Sequence, residues 1–359
     1  MRTLIIDSNI PELCPYHEYY KEILGNNHDE IDVISWDRSA KLKDASNTST
    51  FCYSVPSSEN EPMFKKFFAY MKFSKYVINI LIQNNYDLII VCGLQNAYFL
   101  RFLLQSTFKN RYILDIRDYS PLYPLIKYKL DRIVNEARLN VISSYGYLKW
   151  LPSHNYTISH NVSNKLIEAN WNDNCQKHVG NPIRVLTLGS LREFDQHKKL
   201  LESLGRSNDF TLIFAGDGIA RIPLQDYAKA KKLKAQFSGW YNKEDEVGIA
   251  FSCDIINILL DPNYVGKTTP IANRLYTALI CNKAVMVNPE SIHAEFVDKY
   301  QIGIIIGSKD SIEEKVRNYF ARYDPELYRK GRNDFLRKIY NENSAFQLAL
   351  ARIKYDELV

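Results

Sequence analysis

The chain has 359 residues, 46% of them hydrophobic and 24% charged, with a formal net charge of +5. That length exceeds one ordinary core and predicts two domains, each large enough to bury a core without disulfides or metals. No stretch approaches the roughly 18 uninterrupted apolar residues of a membrane span, and no nucleic-acid-binding motif accompanies the modest charge, so neither a membrane-spanning protein nor a nucleic-acid partner is expected.

The opening "MRTLIIDSNIPEL" carries one basic residue and an apolar run too short for a signal peptide, so it is read as a first strand. Further strands are predicted at 31–36, 87–93, 112–118, 139–144 and 156–162, and in the second half at 183–190, 210–218, 235–241, 253–260, 284–288 and 302–307. Longer amphipathic segments separate them, which implies right-handed βαβ units and parallel sheets. Between the two series lies a polar, Asn-rich stretch, 163–182, ending in Gly180 and Pro182. The expected organisation is α/β: an N-terminal domain 1–165, a linker 166–182, and a C-terminal domain 183–339. A last helix at about 340–359 is expected to pack back on the first domain. Both domains should be doubly wound and Rossmann-like, facing across a cleft, with ligands at the carboxyl ends of their strands.

Six cysteines (Cys14, Cys52, Cys92, Cys175, Cys253, Cys281) form no C-x-x-C pair and have no histidine at zinc-ligand spacing, so they are read as reduced thiols of a reducing compartment. Residues 63–149 hold 13 Lys and Arg against 5 Asp and Glu, a local net charge of +8. That excess begins in "MFKKFFAYMKFSKYVINIL", where Phe64, Phe67, Phe68 and Met71 alternate with Lys65, Lys66, Lys72 and Lys75. Such a composition suits a helix lying in a membrane interface, although part of the aromatic stripe must pack on the sheet.

In "TPIANRLYTALICNKAVMVN", Thr269 is placed to cap a helix with Pro270 in its first turn, and Asn282 sits where a left-handed cap would end it. The apolar run 284–287 then reads as a strand buried on both faces.

The order of "VLTLGSLREFDQHKKLLESL", "LIFAGDG", "FSGWYNKEDEVGIAFSCDIINILL" and "TPIANRLYTALICNKAVMVN" resembles the GT-B glycosyltransferases, specifically the family-4-like (group 1) enzymes of bacterial capsule, exopolysaccharide and O-antigen synthesis. "YDLIIVCG", "YILDIRDYSPL" and "TISHNV" carry the likeness in the first half. The resemblance implies a metal-independent, retaining enzyme that moves a sugar from a nucleotide-sugar donor to a glycan carried on a polyprenyl diphosphate. With no signal peptide and no membrane span read in the sequence, a cytoplasmic protein is expected, and the basic aromatic segment 63–81 would hold it at the inner face of the plasma membrane. No D-x-D motif is present, and no metal or other cofactor is expected.

A departing nucleoside diphosphate gathers negative charge, so such an enzyme needs cations and backbone N–H groups aimed at it. The resemblance places Arg192 and Lys198 in this role, with Lys199 or Lys267 as alternatives to Lys198. Gly189, Gly216 and Gly218 lie on the donor side; the two in "FAGDG" serve either close backbone approach to a ligand or a tight turn. Trp240 or Tyr241 can stack on the base, or pack at a sheet edge. Many family members carry a Glu-x7-Glu pair whose second member binds the ribose. The matching positions here are Thr269 and Thr277, and Asn273 and Arg274 lie between them. In the first half Asp118 is either a base toward the acceptor or a turn cap, with Asp115 and Arg117 beside it as a structural ion pair. His160 and Asn161 are assigned to the acceptor side. A nucleotide-sugar epimerase and a non-catalytic scaffold remain the rival readings.

Overall fold

The computed structural model describes residues 1–356 apart from 26–30, 41–49, 59–60 and 172–179. Cys175 and part of the expected linker therefore lie outside the described residues. The chain divides into two compact units, Met1–Asn161 with Glu342–Val359, and Val162–Asn341. Each is built on a wholly parallel sheet.

In the first unit the strands are β1 (Thr3–Ile6), β2 (Ile31–Asp37), β3 (Phe51–Ser54), β4 (Leu88–Cys92), β5 (Tyr112–Ile116), β6 (Leu139–Ile142) and β7 (Thr157–Ile158). Their order is β3-β2-β1-β4-β5-β6-β7. The winding reverses between β1 and β4, which places the topological switch point at their carboxyl ends. The central strands are apolar at nearly every position because both faces are covered. Leu4, Ile6, Ile89, Val91 and Leu114 pack with Phe73, Val77 and Leu100 on one side, while Ile5, Leu88, Ile90 and Ile113 pack with Tyr20, Leu24, Phe346 and Leu350 on the other.

In the second unit β8 (Ile183–Leu188), β9 (Phe210–Ala215), β10 (Gln236–Gly239), β11 (Ile255–Ile258), β12 (Ala284–Val287) and β13 (Gly303–Ile305) take the order β10-β9-β8-β11-β12-β13. The reversal here falls between β8 and β11.

Several local expectations are corrected. β3 was not anticipated, since Phe51–Ser54 is a half-exposed edge strand whose apolar run is only three residues long. The strand expected at 156–162 shortens to β7, because beyond it the backbone turns to side chains: Ser159 O accepts from Arg117 and His160 N donates to Asn343. Asn164–Ala169, partly inside the expected linker, is a helix capped by Ser163. Thr269 does not cap the helix Asn273–Ile280. It ends the preceding short helix Val265–Thr268, donating its hydroxyl to Val265 O at 2.7 Å, and the longer helix starts after Ala272. Asn282 does adopt the left-handed conformation, with φ 56°.

The last helix, Pro325–Asp356, belongs to both units. Within the second, the buried Arg332 donates to Leu279 O and Asn170 O, each at 2.7 Å. Within the first, Phe346, Leu350 and Ile353 enter the core. Glu342 opens that second stretch, taking hydrogen bonds from the Tyr145 hydroxyl and from His160 Nε2, the latter at 2.7 Å. Among the described residues no helix is long and apolar enough to cross a membrane.

Burial raises the Glu342 carboxyl to about 7, from an ordinary value of 4.5. The folded protein therefore holds this proton more tightly than the unfolded chain does. The resulting stabilisation is complete below about pH 4.5 and is lost as pH rises through 7. Melting temperatures measured across this window should fall less for Glu342→Gln than for the wild type; parallel curves would contradict the assignment.

Candidate functional site

At the carboxyl edge of the first sheet, polar side chains are buried and paired with one another. Asp115, in β5, and Arg117, just beyond it, point to the same side two residues apart. They form a bidentate ion pair, Nε to Oδ1 at 2.8 Å and Nη2 to Oδ2 at 3.0 Å. Arg117 also donates to Ser159 O, Ser159 Oγ and Asn161 Oδ1 and lies over the Tyr16 ring at 4.5 Å. Burial disfavours the charged guanidinium, yet Asp115 outweighs it and raises Arg117 above its ordinary value.

Beside this pair, Asp7 follows β1 and accepts from the Tyr16 hydroxyl at 2.6 Å and contacts His17 Nε2 at 2.9 Å. Burial would raise its carboxyl, but the bonds from His17, Tyr16 and the Asn9 backbone lower it overall. Cys14 Sγ accepts from the same Tyr16 hydroxyl at 3.3 Å. Asp7, Cys14 and His17 are the one group among the described residues whose potential metal-ligand atoms lie within 4.8 Å of one another. Burial pushes the Cys14 thiol well above its ordinary range, so it stands protonated. The expectation that no cysteine has a histidine at ligand spacing is corrected here: His17 follows Cys14 by three residues and the fold brings the two together, with Asp7 joining them from the end of β1.

Asp118 is exposed, whereas His160 is buried against Glu342. Asn161 serves Arg117. His160 thus anchors the last helix, and the structural ion pair weighed for Asp115 and Arg117 is present.

The second unit gathers charge at the β8–β11 switch point. Gly189, with φ 90°, turns the chain out of β8 and leaves open space where a side chain would be. Gly216 lies so close that a Cβ on it would stand 1.8 Å from Gly189 O, so protein backbone, not a ligand, requires this glycine. Gly218 is set against Leu191 in the same way.

Beyond the turn, Arg192 is exposed and donates to Ser190 Oγ at 2.8 Å. Glu193 pairs with Lys267 at 3.1 Å and accepts from Asp261 N at 3.0 Å. Arg274 reaches toward Leu188 O at 3.4 Å; burial lowers it below its ordinary value, with Glu193 and Tyr241 opposing that shift. Burial and the nearby Arg274 also hold His197 at about 4 and His293 at about 3, so both are neutral. His293 Nε2 accepts from Ala272 N and thereby caps the helix Asn273–Ile280. Glu193, a residue that sequence reasoning did not single out, thus pairs with Lys267 and lies near enough to Arg274 to favour its charged form. Lys198 instead lies 5.1 Å over the Tyr227 ring, on the helix Arg221–Lys231.

Further along the carboxyl edge, Trp240 is 71% exposed and Tyr241 donates to Glu246 Oε2 at 3.1 Å. Lys243 reaches the same oxygen at 2.7 Å, and Thr277 Oγ1 donates to Oε1 at 2.6 Å. Burial would raise Glu246, but these contacts hold it below the ordinary carboxylate value. Asn273 is exposed at the start of the same helix and Thr269 is buried.

No protein-family model matches the chain, and no curated protein matches it. Solved structures do. Sucrose-phosphate synthase from Thermosynechococcus elongatus is 14% identical with a TM-score of 0.71, covering 100% of this chain and 99% of that one. Anabaena HepE in complex with UDP and glucose is 14% identical with a TM-score of 0.62, covering 98% and 99%. An α,α-trehalose-phosphate synthase (UDP-forming) from Burkholderia xenovorans in complex with glucose-6-phosphate is 10% identical with a TM-score of 0.65, covering 98% and 100%. The chain has the fold of these GT-B glycosyltransferases, two Rossmann-like parallel-sheet α/β domains.

Replacing Arg117 by Met should destabilise the first unit by about 3–5 kcal/mol, because it strands the fully buried Asp115 carboxylate. Urea unfolding measures this, and a loss below about 1 kcal/mol would show that water or Tyr20 already satisfies Asp115.

Proposed function

We propose that the protein is a glycosyltransferase that transfers one sugar from a nucleotide-sugar donor, bound by the second unit, to a glycan acceptor. The observation that carries this reading is the cation group at the β8–β11 switch point. Lys267 pairs with Glu193, Arg274 reaches toward Leu188 O close by, and Arg192 is exposed one residue before Glu193, so three cations gather where a doubly wound sheet binds its ligand. A diphosphate leaving group has the charge that such a site stabilises. The fold is that of proteins solved with UDP and with sugar phosphates, which agrees with this chemistry. The finer reading is a retaining, metal-independent hexosyltransferase of capsule or exopolysaccharide synthesis, with Asp118 toward the acceptor.

The acceptor we propose is lipid-linked, met at the inner leaflet through the helix Met63–Gln83. Its C-terminal half is buried through Phe73, Val77, Ile80 and Leu81, while its first turns carry Phe64, 61% exposed, and Phe68, 54% exposed. Lys65, Lys72 and Lys75 are exposed and Lys66 is half-buried. Phe67, expected on the same surface, instead turns inward onto Phe99 at 4.9 Å. Apolar rings flanked by lysines suit an anionic interface.

At least one of UDP, GDP, dTDP and their sugars should raise the melting temperature, and no shift with any of them would sink the donor reading. Arg192→Ala should weaken turnover by about 1.5–3 kcal/mol, the worth of a charge-assisted hydrogen bond. Unchanged kinetics in a folded variant would remove Arg192 from the phosphate site.

Co-sedimentation with anionic vesicles should weaken with added salt. It should weaken further in a variant with Lys65, Lys66, Lys72 and Lys75 changed to Ser, each lysine contributing about 1 kcal/mol. Equal partitioning of variant and wild type would rule this surface out.

A further inference from the structure

We propose that Glu246 is the carboxylate that accepts the ribose hydroxyls of a nucleoside diphosphate in the second unit. This assignment rests on the donor reading above and names a residue for it.

The helix Asn273–Ile280 contains no acidic residue. Its Arg274 and Thr277 are three residues apart and therefore neighbours on one helix face, about 5–6 Å between Cβ atoms. That is the order of the distance between a ribose and the phosphate it carries. Arg274 lies within the cation group; Thr277 meets Glu246, which is delivered from a different element, the short helix Glu246–Phe251. A carboxylate is thus brought to this face from elsewhere in the chain.

Its surroundings suit an acceptor for hydroxyls rather than a packing group. The Glu246 side chain is only 11% exposed, yet it remains ionised through Thr277, Lys243 and Tyr241. Each carboxylate oxygen has two lone-pair sites. Tyr241 and Lys243 occupy Oε2, whereas among the described residues Oε1 takes the Thr277 bond alone, leaving an acceptor position there. Thr277 Oγ1, having donated its proton, adds lone pairs of its own. An ion pair with Lys243 does not account for the arrangement: that side chain is 74% exposed, and exposed pairs of this kind contribute little. The indole of Trp240, one residue before Tyr241, presents a bare aromatic face of the kind on which a base stacks.

The test compares binding of UDP and GDP with that of their 2′,3′-dideoxy counterparts, by calorimetry and tryptophan quenching. The wild type should prefer the ribonucleotide by on the order of tenfold or more, since charge-assisted bonds are lost with the hydroxyls. Glu246→Gln should reduce that preference to within about twofold, and adding Thr277→Glu to it should restore the preference. If Glu246→Gln fails to fold, Thr277→Val serves instead, with an expected partial loss. An unchanged ratio in a folded Glu246→Gln, or in Thr277→Val when that variant stands in, overturns the assignment while leaving the donor reading intact. If neither nucleotide binds the wild type, the donor reading fails and the assignment falls with it.

Discussion

The first unit depends on one buried ion pair. Asp115 and Arg117 lie at the carboxyl edge of the sheet, where water is excluded and two charges are costly unless fully bonded. The remaining donors and acceptors nearby are arranged to meet that demand. Tyr20 donates to Asp115, Ser159 and Asn161 accept from Arg117, and Tyr16 offers its ring face to the guanidinium while its hydroxyl turns to Asp7. Through these contacts β5, the helix His17–Leu24 and the turn after β7 are held in one register. Asn161 is also the last residue of the first stretch of this unit, so the point at which the chain leaves it is tied to the same guanidinium.

The two switch points handle charge in opposite ways. In the first sheet every buried charge named above has a partner within the same unit, and Asp7 is occupied by Tyr16 and His17. In the second, Glu193 pairs with Lys267 and lies near Arg274, and Arg192 is exposed while donating to Ser190 Oγ. Two neutral histidines beside Arg274 add no positive charge of their own, because burial and the guanidinium keep them unprotonated. Positive charge at that edge is therefore concentrated in side chains whose ionisation does not change near neutral pH.

Strand positions were legible because a parallel sheet covered on both faces writes itself as short apolar runs, and β4, β5, β8, β11 and β12 all have that form. β3 and β7 were not legible in full: one is half-exposed, and the other ends where backbone groups meet Arg117 and Asn343 instead of a neighbouring strand. Turn residues divided similarly. Asn282 carried its own signal for the left-handed conformation, whereas Thr269, placed before Pro270, ends one short helix instead of starting the next.

The candidate site was the least legible, for a reason of distance along the chain. Arg192, Lys267 and Arg274 are visible as cations, but the carboxylate among them, Glu193, looks like any surface glutamate until Lys267 arrives from 74 positions away. Glu246 illustrates the point further. Beside Lys243 in sequence it reads as an i,i+3 helix pair on a solvated surface. Only the fold brings Thr277 to its other oxygen and withdraws the carboxylate from water, and burial with three donors distinguishes a held acceptor from a solubilising charge. Motif reasoning asks which residue type stands at a given position. At this edge of the sheet the relevant quantity is where a carboxylate ends in space, and here it is position 246 that brings one to the Thr277 hydroxyl.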